Sequence, residues 1–219
     1  MRNKLVVIAL LLIVGLAISA SADFFSKPIT QSAESRGAGD GRDSKNIDPL
    51  PGWGRELISS NEATQATRRK LLPPASKSLL SVTTPLHHGD FVWNEEGVPA
   101  GKLTIWVDLR RQMISAFRNG HEIGTAVIVY GAKEMVSPEG TFPILRKSSD
   151  YHSRTYDAPM PYSLFITNDG VALHGSPMSE RRASHGCIGL PVDFAQKLFE
   201  ASQVGDIVEI TRSDDRMGN

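Results

Sequence analysis

The 219-residue chain has a single cysteine, 7% aromatic residues and no surplus of either charge, with 24 Lys+Arg against 24 Asp+Glu. One cysteine excludes an internal disulfide and a multi-cysteine zinc site. Without a broad basic field, nucleic acid is excluded as a principal partner. Only one long apolar run exists, the fourteen residues Leu5 to Ile18, which falls short of the ~20 needed to span hydrocarbon. What remains is an ordinary globular composition, 40% hydrophobic and 22% charged, in a length that suits one domain with a tail.

That apolar run sits between Arg2 and Lys4 on one side and Ala20-Ser21-Ala22 on the other. A basic n-region, an apolar h-region and a small-residue site make a secretory signal, with cleavage expected after Ala22. The protein is therefore expected to be exported to the periplasm or cell envelope, peripheral to the membrane once cleaved. Removing Arg2 and Lys4 leaves 22 basic against 24 acidic residues, so no strong field emerges. Residues 23 to 101 read as a linker of low order. Their first half is rich in Ser, Gly, Asp and Arg and cannot bury enough surface to offset chain entropy. A possible helix follows over Glu56 to Leu72, ended by Pro73-Pro74. Whether the stretch from Trp53 to Leu86 packs on the domain is left open.

From Lys102 the pattern changes. Leu103, Ile105, Val107 and Leu109 alternate with Thr104, Trp106 and Asp108, the period of a half-buried strand. Met113 to Arg118 reads as a second strand, with Asn119-Gly120 as a type I′ turn. Thr125 to Tyr130, Thr141 to Arg146, Tyr162 to Thr167 and Val171 to His174 are further strands, the last two joined at Asn168-Asp169-Gly170. Pro191 opens a helix over Val192 to Ser202, with Phe194, Leu198 and Ala201 on one face, and Asp206 to Thr211 closes the domain as a strand. The expected fold is mainly β with one or two short helices, over residues 102–212, leaving 213–219 as a tail.

Chemistry concentrates in Leu173-His174-Gly175-Ser176-Pro177 and Ser184-His185-Gly186-Cys187-Ile188-Gly189-Leu190-Pro191. Two histidines and the sole cysteine fall within fourteen positions. A thiolate is a nucleophile, and an imidazole within hydrogen-bond reach supplies the base that generates it. The flanking glycines let backbone approach a substrate and aim N–H groups at a developing oxyanion. His174, His185 and Cys187 could instead hold zinc, but no H-E-x-x-H spacing supports that reading, and neither metal nor organic cofactor is expected.

The H-G and S-H-G-C-I segments resemble the signature of the L,D-transpeptidase catalytic domain (the YkuD-type domain). Similar to that family too are Tyr130-Gly131, Pro138-Glu139-Gly140-Thr141-Phe142, Met160-Pro161-Tyr162 and the closing strand from Val204-Gly205-Asp206 to Ile210. The resemblance covers about residues 102 to 211 and implies a β-sandwich with one or two short helices. It implies peptidoglycan stem peptides as acyl donor and acceptor. Cys187 would be the nucleophile that forms a thioester and His174 the proton acceptor and donor. Gly175 would orient the His174 ring through its backbone, Gly186 would lend its N–H to the oxyanion, and His185 would play a supporting part. Met160, Tyr162 and Ser184 are candidate substrate-binding residues.

The sequence departs from the family's pattern at Gly189, where Arg or Asn is usual, and in the nine residues that separate His174 from Ser184. Arg181 and Arg182 lie in that short connection. They either bind stem-peptide carboxylates or are solvated charges on a turn. Several net reactions share one acyl-enzyme: 3→3 cross-linking, attachment of a protein lysine, exchange of the terminal residue, and hydrolysis as an L,D-carboxypeptidase. A catalytically silent envelope-binding module is the alternative from another class.

Overall fold

The computed structural model describes residues 45–46, 54–131, 136–178 and 186–214. The expected signal segment, most of residues 23–53, and Arg181, Arg182, Ser184 and His185 lie outside the described residues. In chain order the elements are β1 (Lys45–Asn46), β2 (Arg55–Leu57), α1 (Ser60–Arg68), β3 (Ser78–Leu80), β4 (Asp90–Trp93), β5 (Leu103–Asp108), β6 (Met113–Arg118) and β7 (His121–Val127). There follow β8 (Val129–Tyr130), β9 (Gly140–Pro143), β10 (Arg146–Ser153), β11 (Ala158–Phe165), β12 (Ala172–Gly175), β13 (Ile188–Leu190), α2 (Val192–Ala201) and β14 (Ile207–Thr211).

The strands form two sheets. The larger runs β1-β4-β7-β6-β5-β14-β9, with β2 and β3 attached beside β7, and the smaller runs β10-β11-β12-β13-β8. Ile105, Val107, Ile114, Ile123 and Val208 of the large sheet share one core with Leu164, Leu173, Ile188 and Leu190 of the small sheet. Phe194, Ala195 and Leu198 of α2 join that core, so the sandwich is sealed by the helix. Pro191 occupies the N-cap of α2, as proline's fixed φ allows. At the other end the Lys147 ammonium donates to the carbonyls of Phe199 and Ser202, tying the helix C-terminus to β10.

Local chemistry explains the regular parts. β5 and β6 are antiparallel, and the turn after β6 takes φ of 51° at Asn119 and 83° at Gly120, the left-handed pair a type I′ turn requires. The side of β5 read as solvent-facing is in fact covered. Trp106 and Asp108 are buried, and the Asp108 carboxylate accepts N–H groups from Arg110, Arg111 and Ser213. β10 was not expected, because Arg-Lys-Ser-Ser-Asp-Tyr-His-Ser is polar throughout. It is the edge strand of the small sheet, where charge is tolerated on both sides.

Upstream of residue 102 the chain contributes strands to the large sheet. Between β2 and β3 stands α1, started by a reciprocal Ser59–Glu62 capping box. The Arg55 guanidinium donates to the carbonyls of Glu122 and Asn94, and the buried Glu122 carboxylate accepts the Leu80 N–H at 2.9 Å. Burial pushes the Glu122 carboxyl up, against the pull of Ser115, the Leu80 N–H and the Arg55 charge. Burial likewise lowers Arg55. A carboxyl raised in the folded state stabilises fully below its unfolded value and loses that contribution as pH rises through its folded value. Removing the Arg55 charge raises Glu122 further. Arg55→Ala is therefore expected to cost about 2 kcal/mol at pH 7, where Glu122 is left buried without its cation, and distinctly less near pH 5. Urea unfolding at the two pH values measures the difference, and an equal loss at both would refute the coupling.

Candidate functional site

The site rests on the parallel pairing of β12 with β13, in register Leu173↔Ile188, His174↔Gly189 and Gly175↔Leu190. Alternation along these strands turns Leu173, Ile188 and Leu190 into the main core. It turns Ala172 and His174 to the opposite, outer face. Cys187 directly precedes β13 and packs on that outer face, against a second cluster made of Met160, Phe165 and Ala172 with Tyr151 at its margin. Continuing the register by one step sets Cys187 beside Ala172, and His174 lies two residues further along the same face. The segment between Gly186 and Pro191 thus holds a three-residue strand. Gly186 turns the chain into it at φ 92°, a left-handed conformation that glycine adopts without penalty.

His174 is only 9% exposed, and its Nδ1 lies 2.9 Å from the Gly175 carbonyl. A carbonyl can only accept, so Nδ1 carries the proton and Nε2 keeps its lone pair. Burial pushes the imidazole below its ordinary value, opposed by that hydrogen bond, so the ring is neutral at pH 7. The Cys187 Sγ points its hydrogen toward the Gly170 carbonyl at 3.8 Å. Burial raises the thiol, a hydrogen bond with the Ala172 backbone lowers it, and the Asp169 carboxylate raises it again. Both shifts favour the uncharged forms, a neutral thiol at Cys187 and a neutral imidazole at His174.

The remaining candidates separate. Met160 belongs to the cluster that supports Cys187. Tyr162 does not face it: its ring meets Phe199 of α2 edge-on, with centroids 6.0 Å apart. The cause is local. Tyr162 has φ 55°, the Ser149–Tyr162 pair is missing from an otherwise constant β10–β11 register, and the faces switch there. Gly189 has a steric reason. A Cβ at that position would come within 2.6 Å of the Val129 Cγ2 and 2.9 Å of the Ser176 Cβ. Gly175 is tight as well, its Cβ position lying 3.1 Å from Pro161. Gly170 and Asp169 were read only as a turn. Their approach to Cys187 spans seventeen residues and has no local sequence signal. Of the other histidines, His87 pairs with Asp90, His121 with Ser78 and His152 with Asp157. Among the described residues no three His, Cys, Asp or Glu side chains converge as metal ligands.

A family model described as the L,D-transpeptidase catalytic domain matches residues 102–210. L,D-transpeptidase 1 of Mycobacterium tuberculosis is 29% identical over 133 residues, covering 52% of this chain and 53% of that protein. The chain spans about half the length of the curated relatives it matches. Among solved structures, an L,D-transpeptidase from Stackebrandtia nassauensis is 27% identical, covering 52% of this chain and 58% of its own, with a TM-score of 0.48. A mutant of the Enterococcus faecium L,D-transpeptidase is 26% identical, covering 51% and 50%, with a TM-score of 0.46.

Two outcomes follow from the geometry. Without substrate, alkylation of Cys187 by iodoacetamide is expected to be slow at pH 7 and to keep accelerating above about pH 9, tracking the raised thiol. A plateau reached near neutrality would contradict the neutral pair. Gly189→Ala is expected to destabilise by about 1–3 kcal/mol through overpacking, with Val129→Ala restoring much of the loss. A thermal melt that the double change leaves unimproved would place the strain elsewhere.

Proposed function

Residues 102–210 belong to the L,D-transpeptidase catalytic domain family, and from that premise we propose that the chain is an exported cysteine acyltransferase acting on peptidoglycan stem peptides. The supporting observation is the β12–β13 register. It sets His174 and Cys187 on one face of adjacent strands while the Gly175 carbonyl holds the Nδ1 proton. In the proposed first step Cys187 Sγ attacks the carbonyl on the L-centre of the donor and His174 Nε2 takes the thiol proton. The backbone N–H groups of Gly186 and Cys187 receive the oxyanion. Collapse expels the terminal D-residue as an amine, which leaves with the proton from His174, and a thioester remains on Cys187. An acceptor amine then attacks the thioester, giving its proton to His174, and the thiol is regenerated. With an amine on a second stem the product is a 3→3 cross-link. A protein lysine or water would give attachment or hydrolysis from the same intermediate.

Gly189 does not weaken this reading. Val129 and Ser176 fill the space beside it, so the glycine is explained by packing on the site rather than by loss of the site.

Incubation with a synthetic tetrapeptide stem is expected to add the mass of the donor acyl group to the wild-type protein and nothing to Cys187→Ala. His174→Gln should slow acylation by about 10²–10⁴-fold. Because burial lowers His174, the acid limb of kcat/KM is expected below the ordinary imidazole value of 6.5. Muropeptides from cells carrying Cys187→Ala should lack an L,D-linked product present in wild type. No adduct and no muropeptide change would overturn the assignment.

A further inference from the structure

One cation on the outer face of the small sheet takes no part in the steps above. Arg146 opens β10, and the cross-sheet register runs Arg146↔Phe165 and then Phe165↔Ala172. Ala172 in turn neighbours Cys187. The four residues form a row across β10, β11, β12 and the residue before β13, and contacts place the latter three together on the outer face. The Arg146 guanidinium lies over the Phe165 ring, 3.6 Å from its centroid, and 5.5 Å from that of Tyr151. Tyr151 and Phe165 meet edge to face at 5.0 Å, so the platform beneath the guanidinium is fixed. A guanidinium stacked on an aromatic face keeps its fork of N–H donors at the ring's edge available for a planar anion.

Its charge is uncommitted. Arg146 is exposed, and no carboxylate among the described residues forms an ion pair with it. Arg212, likewise seated on an aromatic ring, is held by Glu139 at 2.8 Å over Tyr130. The opposite charge near the thiol is Asp169, which disfavours a second carboxylate unless a cation offsets it. With strands about 4.8 Å apart, a guanidinium over Phe165 stands two strand spacings from Cys187, about 10 Å. A carboxylate six bonds from the acyl carbon reaches about 7.5 Å when extended, and a charge-assisted hydrogen bond of about 2.8 Å closes the remainder.

We propose that Arg146, seated on Phe165 and Tyr151, is a specificity-determining residue that binds a side-chain carboxylate of the acyl-donating residue. This rests on the reading of Cys187 as the acyl-accepting thiol. Donors whose side chain ends in a carboxylate are then preferred over those ending in the amide or in a plain amine.

Binding can be separated from chemistry in the Cys187→Ala protein. Two tetrapeptides are titrated by calorimetry, one carrying the free side-chain carboxylate and one carrying its amide. The carboxylate peptide is expected to bind about tenfold more tightly. Adding Arg146→Gln should abolish the preference while leaving the amide peptide's affinity unchanged, and Arg146→Lys should recover part of it. Equal affinity for the two peptides, a preference that survives Arg146→Gln, a parallel loss for both peptides, or no binding of either would each overturn the proposal. Acyl adducts on wild-type Cys187 report the transferase reading separately: Arg146-dependent binding without an adduct would retain the anchor and remove the enzyme.

Discussion

The parallel pairing of β12 with β13 is the constraint on which the site depends. Parallel neighbours cannot be joined by a tight hairpin, so the chain must leave at Gly175 and return at Gly186. The pairing holds because Leu173, Ile188 and Leu190 each bury completely or nearly so in the core shared with α2. The same hydrogen bonds that fix those three inward fix Ala172, His174 and Cys187 outward. A one-residue slip of β13 would exchange the faces, carrying the thiol into the core. Gly189 belongs to the same constraint, since β13 has to pass close to Val129 on β8 and Ser176 after β12 at once.

Burial acts on the proposed nucleophile and the proposed base in compatible directions. It lowers the imidazole and raises the thiol, and both shifts favour the uncharged forms. A protein that needed a standing thiolate would place a cation or a helix N-terminus beside it; here Asp169 acts the other way. The Gly175 carbonyl sets the tautomer of His174, leaving Nε2 with its lone pair, as the proposed role of base requires. The uncharged form also protects the thiol, because a thiol is less easily oxidised than a thiolate.

Legibility in the sequence followed from how each residue's information is carried. Met113–Arg118 could be read to the residue because its burial alternates from Met113 to Ala116 and Asn119-Gly120 ends it. The S-H-G-C segment stood out through residue type and spacing, and the family match covers it. β10 was not, since an edge strand exposed on both sides shows no hydrophobic period. Tyr162 was grouped with Met160 because residues two apart share a face in a regular strand, and one left-handed φ cancels that rule. The attachment of residues 55–80 rests on β3 pairing with β7 and on a guanidinium reaching Glu122, 67 positions away, which no window of sequence displays.

The two faces of the small sheet divide the tasks between adjacent residues. Leu173 and His174 are neighbours in the chain, yet one is packed in the core with α2 and the other is the proposed base. Changes at inward positions act on stability first and reach the site only by shifting β13. Changes at outward positions can alter chemistry with the fold kept, provided the apolar support of Met160, Phe165 and Ala172 survives. Phe165 is where this division breaks down, because it is buried, supports Cys187 and carries the Arg146 guanidinium together. Its replacement by a smaller residue would therefore disturb packing and recognition at once, whereas replacement of Arg146 removes charge from an exposed position and leaves the aromatic platform in place.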